Sequence, residues 1–136
     1  MSKIIYPTEE DLHFWIKLVN EASDQTLKPY LPPYINKNWY KNIISLFDLL
    51  KMDYYGNNVY QKSAHLFYKV CKNHYYVDGN KRSAIICVYL FSLLNDKFTG
   101  RPNDLYQLAK QVSKSKPESR EIMVDKLKSY FKNEKL

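Results

Sequence analysis

Hydrophobic positions recur every three or four residues along most of the chain, and this spacing predicts α-helices whose apolar stripes face a common core. The alternating pattern that predicts half-buried strands is weak throughout the sequence. The clearest helical stripes contain four or five residues each, and they are Leu12, Trp15, Ile16 and Val19; Ile43, Leu46, Phe47 and Leu50; Val59, Ser63, Leu66, Phe67 and Val70; and Met123, Leu127, Tyr130 and Phe131.

Helix-start and helix-stop residues divide the chain into separate segments. Thr8 is a predicted N-cap, because Asp11 follows it at the capping-box position. Pro102 and Pro117 are typical of first helical turns and open two further helices. Six helices are predicted. The first begins at Thr8, the second spans about residues 38–52, and the third spans about residues 58–73. The fourth runs from residue 79 to about residue 95, the fifth spans residues 102–112, and the sixth begins at Pro117.

The fourth of these helices is apolar around nearly its whole circumference between residues 84 and 94, which is typical of a central, buried helix. Residues 27–36 contain Pro29, Pro32 and Pro33, so an extended loop or a short hairpin is expected there rather than a regular helix. The sequence therefore predicts a single all-α domain over residues 1–136. It has about six helices around the central one and room for one small β-hairpin.

The composition excludes several classes of protein. The chain has 136 residues, of which 45% are hydrophobic and 15% aromatic, enough for one packed core. Its 3 Gly, 6 Pro and 2 Cys are too few for a collagen-like chain or a disulfide framework. The apolar run at 84–94 is shorter than the ~20 residues that span a bilayer, and the first residues lack a signal-peptide core. A cytoplasmic protein with buried, reduced thiols at Cys71 and Cys87 is expected, without a membrane partner.

One short segment, HYYVDGNKRS from residue 74 to 83, combines several residue types that bind anions. A helix that begins here offers backbone amides to a phosphate, and Gly79 lets an anion approach the backbone closely. Lys81 and Arg82 are unfavourable beside the positive end of a helix dipole unless an anion compensates them. The net charge of +7 also favours anionic partners.

Two further side chains of this segment suit a transfer reaction. Asp78 is itself anionic, so it fits a Mg²⁺ ligand better than a phosphate ligand. His74 can accept a proton near neutral pH and thereby activate a hydroxyl nucleophile. The segment therefore predicts phosphoryl or nucleotidyl transfer to a hydroxyl group.

The segment resembles the core motif of the Fic/Doc family, HxFx[D/E]GNxR, which the family places before a buried helix. The matching residues are His74, Tyr76 in place of the aromatic residue, Asp78, Gly79, Asn80 and Arg82. The resemblance implies a Fic/Doc-like helical bundle. It also implies a transferase that uses ATP and Mg²⁺ and modifies a hydroxyl side chain of a protein substrate.

The resemblance also implies a role for each motif residue. His74 is the expected general base, which deprotonates a Ser, Thr or Tyr hydroxyl of the target, and Asp78 is the expected Mg²⁺ ligand. Tyr76 is expected to be a packing anchor. The residues expected to bind the nucleotide phosphates are Gly79, Asn80, Lys81, Arg82 and Ser83, the last through its backbone amide.

Two departures from the family pattern bear on the reaction. AMP-transferring members usually carry a second Gly after the motif Asn and a second Arg three residues after the first, where this chain has Lys81 and Ile85. Lys81 would crowd one phosphate pocket, and the missing Arg removes a bidentate phosphate contact. These residues resemble the death-on-curing (Doc) branch, which phosphorylates the translation factor EF-Tu and is inhibited by a small antitoxin. Gly79 departs from that branch, which usually has Ala at this position.

The expected function is therefore that of a Doc-like toxin phosphotransferase, and Fic-type AMP transfer is the alternative. The chain contains no [S/T]xxxE[G/N] inhibitory motif, so inhibition is expected from an antitoxin partner. The Pro-rich residues 27–36 stand where the family's target-docking flap is expected.

Rival interpretations of the same residues belong to other classes. A nucleic-acid-binding helical module would use the positive charge and the 13 Tyr, but these residues are scattered and form no recognition helix, so a nucleic-acid partner is disfavoured. A catalytically silent interaction module would keep the fold without the reaction. A metal site at His65, Cys71 and His74 lacks the usual ligand spacing, and His13 and His65 are interpreted as structural or surface residues.

Overall fold

The computed structural model describes residues 3–22, 27–32, 35–72, 79–98 and 100–133. Its described part contains six α-helices, as the hydrophobic spacing predicts. They are α1 (Glu9–Glu21), α2 (Lys37–Leu50), α3 (Val59–Lys72), α4 (Asn80–Leu94), α5 (Pro102–Lys114) and α6 (Arg120–Asn133). The all-α prediction is confirmed.

Local chemistry sets several of these helix ends. The capping box at the start of α1 is complete, because Thr8 Oγ1 accepts from the Asp11 amide at 3.1 Å and Asp11 Oδ2 accepts from the Thr8 amide at 2.9 Å. Asn36 Oδ1 caps α2 by accepting from the Trp39 amide at 3.0 Å. Pro102 occupies the first turn of α5, where a missing amide proton costs no helical hydrogen bond.

The core is centred on α4, and the prediction of a central buried helix is confirmed. Ile85, Ile86 and Phe91 are fully buried on different sides of this helix. Helix α3 packs against α4 and α6, and α5 packs against α4 on another side. Side chains from all six helices join one buried cluster, in which Leu12 of α1 and Leu127 of α6 are fully buried.

The Pro-rich stretch differs from the predicted loop or hairpin in its described part, which excludes residues 33 and 34. A 3-10 helix, Lys28–Tyr30, occupies this stretch, and no strand occurs within the described ranges. Pro29 fixes its own φ near the value that a 3-10 turn requires, which favours the turn over an extended strand. The expected β-hairpin is therefore wrong for residues 27–32.

Lys62 of α3 is a buried cation that joins two elements. Its Nζ donates to the carbonyl of Leu50 and, at 3.3 Å, to that of Met52, so it satisfies acceptors at the end of α2. Burial lowers the pKa of Lys62, and the nearby Asp53 carboxylate opposes that shift. None of the described helices combines the length and the hydrophobicity that a bilayer crossing requires.

His65 of α3 is a half-buried histidine held neutral by its surroundings. Its ring lies 5.1 Å from the Tyr55 ring in a T-shaped contact. Burial lowers its pKa from 6.5 to about 4, and three nearby cations, on Lys128, Arg120 and Lys69, act in the same direction. The prediction of a structural histidine agrees with this packing.

The depressed pKa of His65 predicts a loss of stability in mild acid. Between pH 6.5 and 4 the unfolded chain binds the proton that the folded chain refuses, so stabilisation present above pH 6.5 is lost as pH falls toward 4. We expect this histidine to account for a decrease of about 1–2 kcal/mol in the free energy of unfolding, reduced from the full linkage value because the ring is partly solvated. Urea denaturation at pH 7 and pH 4.5 measures it.

His65→Gln is the matching variant, because it keeps a polar side chain without a titrating ring. The wild type should lose more stability than His65→Gln over this pH interval. The surface variant His13→Gln should follow the wild type. Equal pH dependence in the wild type and His65→Gln contradicts the prediction.

Candidate functional site

The start of α4 has the backbone geometry of an anion site. Gly79, its N-cap, has φ +99° and ψ −4°, a left-handed conformation that glycine adopts without the steric cost of a side chain. The first intrahelical hydrogen bond runs from the Ser83 amide to the Gly79 carbonyl at 2.8 Å. The amides of Lys81 and Arg82 precede that bond and point toward the N-terminal end of the helix, where the helix dipole is positive.

A cleft of about 230 Å³ opens at this helix end. The lining includes the residues of the first turn of α4, the end of α3 and one side of α5. They are Cys71, Gly79, Asn80, Lys81, Arg82, Tyr106 and Ser113. Four of the five predicted phosphate-binding residues therefore line one cleft, together with residues distant in sequence.

Ser83 is the fifth predicted residue, and the structure places it behind the cleft. It is buried, and its amide donates to the Gly79 carbonyl within the helix, while the predicted contribution of that amide to phosphate binding stays a prediction. Its Oγ accepts a hydrogen bond from Trp39 Nε1 at 2.9 Å in the core. Ser83 therefore fixes the first turn of α4 against α2 and positions the residues that line the cleft.

Among the described lining residues, the charge of the cleft comes from two cations, Lys81 and Arg82. Lys81 is half-buried and Arg82 is exposed, and none of the described lining residues is acidic. Both cations lie beside the positive end of the α4 dipole, an unfavourable arrangement for the isolated protein. The arrangement is favourable only when an anion is present, so the electrostatics of the cleft select negatively charged ligands.

Cys71 lines the same cleft but has the properties of a neutral thiol. Burial raises its pKa above the ordinary value, and the ammonium groups of Lys81 and Lys72 offset only part of that shift. A thiol that stays protonated at neutral pH is a poor nucleophile. Both Cys71 and Cys87 are free and buried, as the sequence predicts.

Sequence reasoning missed three cleft residues, which are Cys71 of α3 and Tyr106 and Ser113 of α5. Tyr106 is 38% exposed. In the sequence, the signal that could have indicated a binding role for Tyr106 is its position off the apolar stripe of α5, because an aromatic side chain there does not serve the core. The centroid of the Tyr106 ring lies 6.3 Å from the centroid of the Tyr30 ring, and Tyr30 belongs to the 3-10 helix of the Pro-rich stretch. Lys72 Nζ donates to the Ser115 carbonyl at 2.5 Å and joins the end of α3 to the end of α5.

His74, Tyr76 and Asp78 lie outside the described residues, so their predicted roles as base, anchor and Mg²⁺ ligand stay predictions. The described residues on either side of this segment end at Lys72 and resume at Gly79, and Gly79 and Cys71 both line the cleft. Within the described residues, no group of three or more His, Cys, Asp or Glu side chains could hold a metal ion.

The described part of the chain is a helical fold with a positively charged cleft at the start of its central helix. Comparison with known families shows that the profile of the Fic/DOC family matches residues 35–92. This segment, which contains α2, α3 and most of α4, is similar to the Fic/Doc family, and the predicted resemblance is confirmed. Comparisons with curated proteins and with solved structures gave no significant match.

The family assignment supports a Fic-type transferase in general. Members of the family generally use ATP and Mg²⁺, and the family suggests a protein target and an antitoxin partner.

Proposed function

We propose that the protein is a Doc-like phosphotransferase that moves the γ-phosphoryl group of ATP to a hydroxyl side chain of a target protein. The proposed target is a translation factor such as EF-Tu, the proposed inhibitor is a small antitoxin, and the proposed setting is the cytoplasm. The observation that carries the proposal is the cleft at the start of α4, where Lys81 and Arg82 flank helix amides behind a left-handed Gly79.

The donors of the cleft fit the phosphate chain of ATP. Helix amides, an ammonium group and a guanidinium group are all hydrogen-bond donors and suit phosphate oxygens. A volume of about 230 Å³ lies below the roughly 300–1,000 Å³ of typical pockets for whole small molecules. The cleft therefore suits the phosphate chain better than a complete enclosed nucleotide.

The identity of position 85 supports phosphoryl transfer over AMP transfer. AMP-transferring relatives are expected to place a second phosphate-binding Arg here, whereas Ile85 of this chain is fully buried in the core. No cation can reach the cleft from this position. Lys81 instead supplies a charge to the cleft from a position where those relatives have Gly.

The proposed reaction assigns each residue one task. His74 takes the proton of the acceptor hydroxyl as its oxygen bonds to the γ-phosphorus, the bond from that phosphorus to the β–γ bridging oxygen breaks, and ADP leaves. Lys81, Arg82 and the α4 amides stabilise the negative charge on the phosphates. Mg²⁺, when bound with Asp78 as its proposed ligand, would neutralise phosphate charge.

AMP transfer is the second candidate, and Gly79 favours it because the Fic motif has Gly where Doc sequences usually have Ala. ATP labelled at either the α- or the γ-phosphate separates the two reactions on candidate target proteins. Label transferred only from the γ-position supports the kinase proposal, and label transferred only from the α-position rejects it. Absence of both, with binding to DNA or RNA that is salt-sensitive and unchanged by Asn80→Ala, favours the nucleic-acid rival.

Arg82→Gln should weaken binding of Mg²⁺–ATP by about 10- to 100-fold, since a charge-assisted hydrogen bond contributes roughly 1.5–3 kcal/mol. Isothermal titration calorimetry measures this loss. The same variant should keep or slightly raise the melting temperature, because it removes a cation from the positive end of a helix.

Arg101→Gln is the matched control, because Arg101 is an exposed arginine at the N-cap of α5 and does not line the cleft. It should leave ATP affinity unchanged. Equal affinity losses in the two variants would mean that overall charge, rather than the α4 cleft, attracts the nucleotide.

A further inference from the structure

A second cavity lies at the opposite end of the α3–α4 pair from the cleft. It has a volume of about 320 Å³, within the range of small-molecule pockets, and is lined by the start of α3, the segment after α4 and the end of α6. Helix α3 extends from this cavity at Val59 to the cleft at Cys71, a distance of about 18 Å along its axis.

Ser63 supplies the observation that points to a ligand. It is 1% exposed and lines the cavity, and its Oγ has no hydrogen-bond partner among the described residues. A buried hydroxyl without a partner is costly in a folded protein. A ligand with a polar atom in the cavity would remove this cost.

The polar lining of the cavity favours an anion. Asn58 and Tyr60 line it at the start of α3, where the Lys62 amide makes the first intrahelical hydrogen bond, to the Asn58 carbonyl at 3.2 Å. Asn58 Oδ1 already accepts from the Gln61 amide at 3.0 Å, so the amides of Val59 and Tyr60 are those that lie at the positive end of the helix dipole without this side-chain cap. Two lysines, Lys97 and Lys132, add positive charge to the lining, and the Lys132 ammonium lies 5.8 Å from the Tyr60 ring centre.

The rest of the lining favours an aromatic body. Phe98 and Phe131 form apolar walls together with Val59. The centroid of the Phe98 ring lies 5.7 Å from the centroid of the Tyr130 ring, and Phe131 is 4% exposed. Both walls are therefore fixed by packing against the core. Rings in such a pocket contact a planar apolar ligand over a large area.

We propose that this cavity binds a small aromatic anion, with the ring between Phe98 and Phe131, the carboxylate or phosphate near Lys97 and Lys132, and a polar atom at Ser63 Oγ. The site is separate from the α4 cleft and does not depend on the transfer reaction.

Titration of the intact protein with three probes tests the proposal, with amide chemical shifts or calorimetry as the readout. Phenylacetate and phenyl phosphate carry the ring with the two anionic head groups, and phenylacetamide carries it without charge. Saturable binding of either anion, with clearly weaker binding of the amide, supports the proposal and identifies the preferred head group. Absence of saturable binding at millimolar anion, or equal binding of the amide, overturns it.

Variants locate the binding. Lys97→Met and Lys132→Met should each weaken anion binding on the order of tenfold, and Lys116→Met, an exposed lysine outside the cavity, should not. Ser63→Ala should weaken binding several-fold while raising the melting temperature. Ser92→Ala is its matched control, because Ser92 is also buried, has no hydrogen-bond partner for its Oγ within the described ranges, and does not line the cavity. Loss of binding in Ser92→Ala, or full binding in Ser63→Ala and both lysine variants, contradicts the assignment.

Discussion

His74→Ala should abolish measurable phosphoryl transfer, lowering the rate by about 10²- to 10⁴-fold, which is the usual contribution of a positioned general base. The expectation depends on the proposed function. Its structural support is that Cys71 and Gly79, on either side of the segment that carries His74, both line the cleft. The proposed phosphate-binding donors lie on α4, so binding of Mg²⁺–ATP should change little. Transfer from γ-labelled ATP and calorimetric titration of ATP measure the two quantities.

His13→Ala is the control for this prediction. His13 is exposed on α1, and its ring stacks on Tyr40 at 3.7 Å, away from the cleft lining. This variant should transfer at the wild-type rate. Full activity in His74→Ala would contradict the role of His74 as a base, whereas loss of both transfer and ATP binding would indicate a damaged cleft rather than a missing base.

Phe67→Ala should remove about 3–5 kcal/mol from the free energy of unfolding, because it deletes a fully buried aromatic ring and leaves a cavity. Phe67 lies on α3, the helix that packs against both α4 and α6. Its ring makes a T-shaped contact with the ring of Phe131, with the two ring centroids 6.2 Å apart. A domain of this size has a typical stability of about 5–15 kcal/mol, so the variant should retain only part of it. Urea denaturation followed by circular dichroism measures the change.

Phe14→Ala makes the same chemical change at a different depth. Phe14 is 65% exposed on α1, so its truncation should alter stability by no more than about 0.5 kcal/mol. The comparison separates burial from the intrinsic effect of losing a phenyl ring. Similar losses in the two variants would contradict the central position of α3.

Helix positions were predictable because each depends on residues close together in sequence. The capping box of Thr8 and Asp11 and the 3.6-residue spacing of Ile43, Phe47 and Leu50 are local signals, and the structure confirms them. The Pro-rich stretch was harder, because Pro29 is compatible with a loop, a hairpin or a 3-10 turn. The contact of Tyr30 with Tyr106 of α5 is a tertiary feature that local sequence does not contain.

The candidate site was predictable only where it is contiguous. Gly79, Asn80, Lys81 and Arg82 are consecutive residues at a helix start, so their common environment follows from the helix itself. Ser83 belongs to the same run, yet its amide and hydroxyl are used by the helix and by Trp39. That difference depends on the packing of α2 against the core.

By itself, therefore, the sequence determined the helices, the buried character of α4 and the cluster of cations at its first turn, since all three depend on neighbouring residues. Only the tertiary structure decided which distant side chains line the cleft and which buried hydroxyl, that of Ser63, lines the second cavity without a hydrogen-bond partner among the described residues. The physical reason is that helix period specifies which face is apolar, whereas the pairing of faces depends on how side chains from six helices pack together.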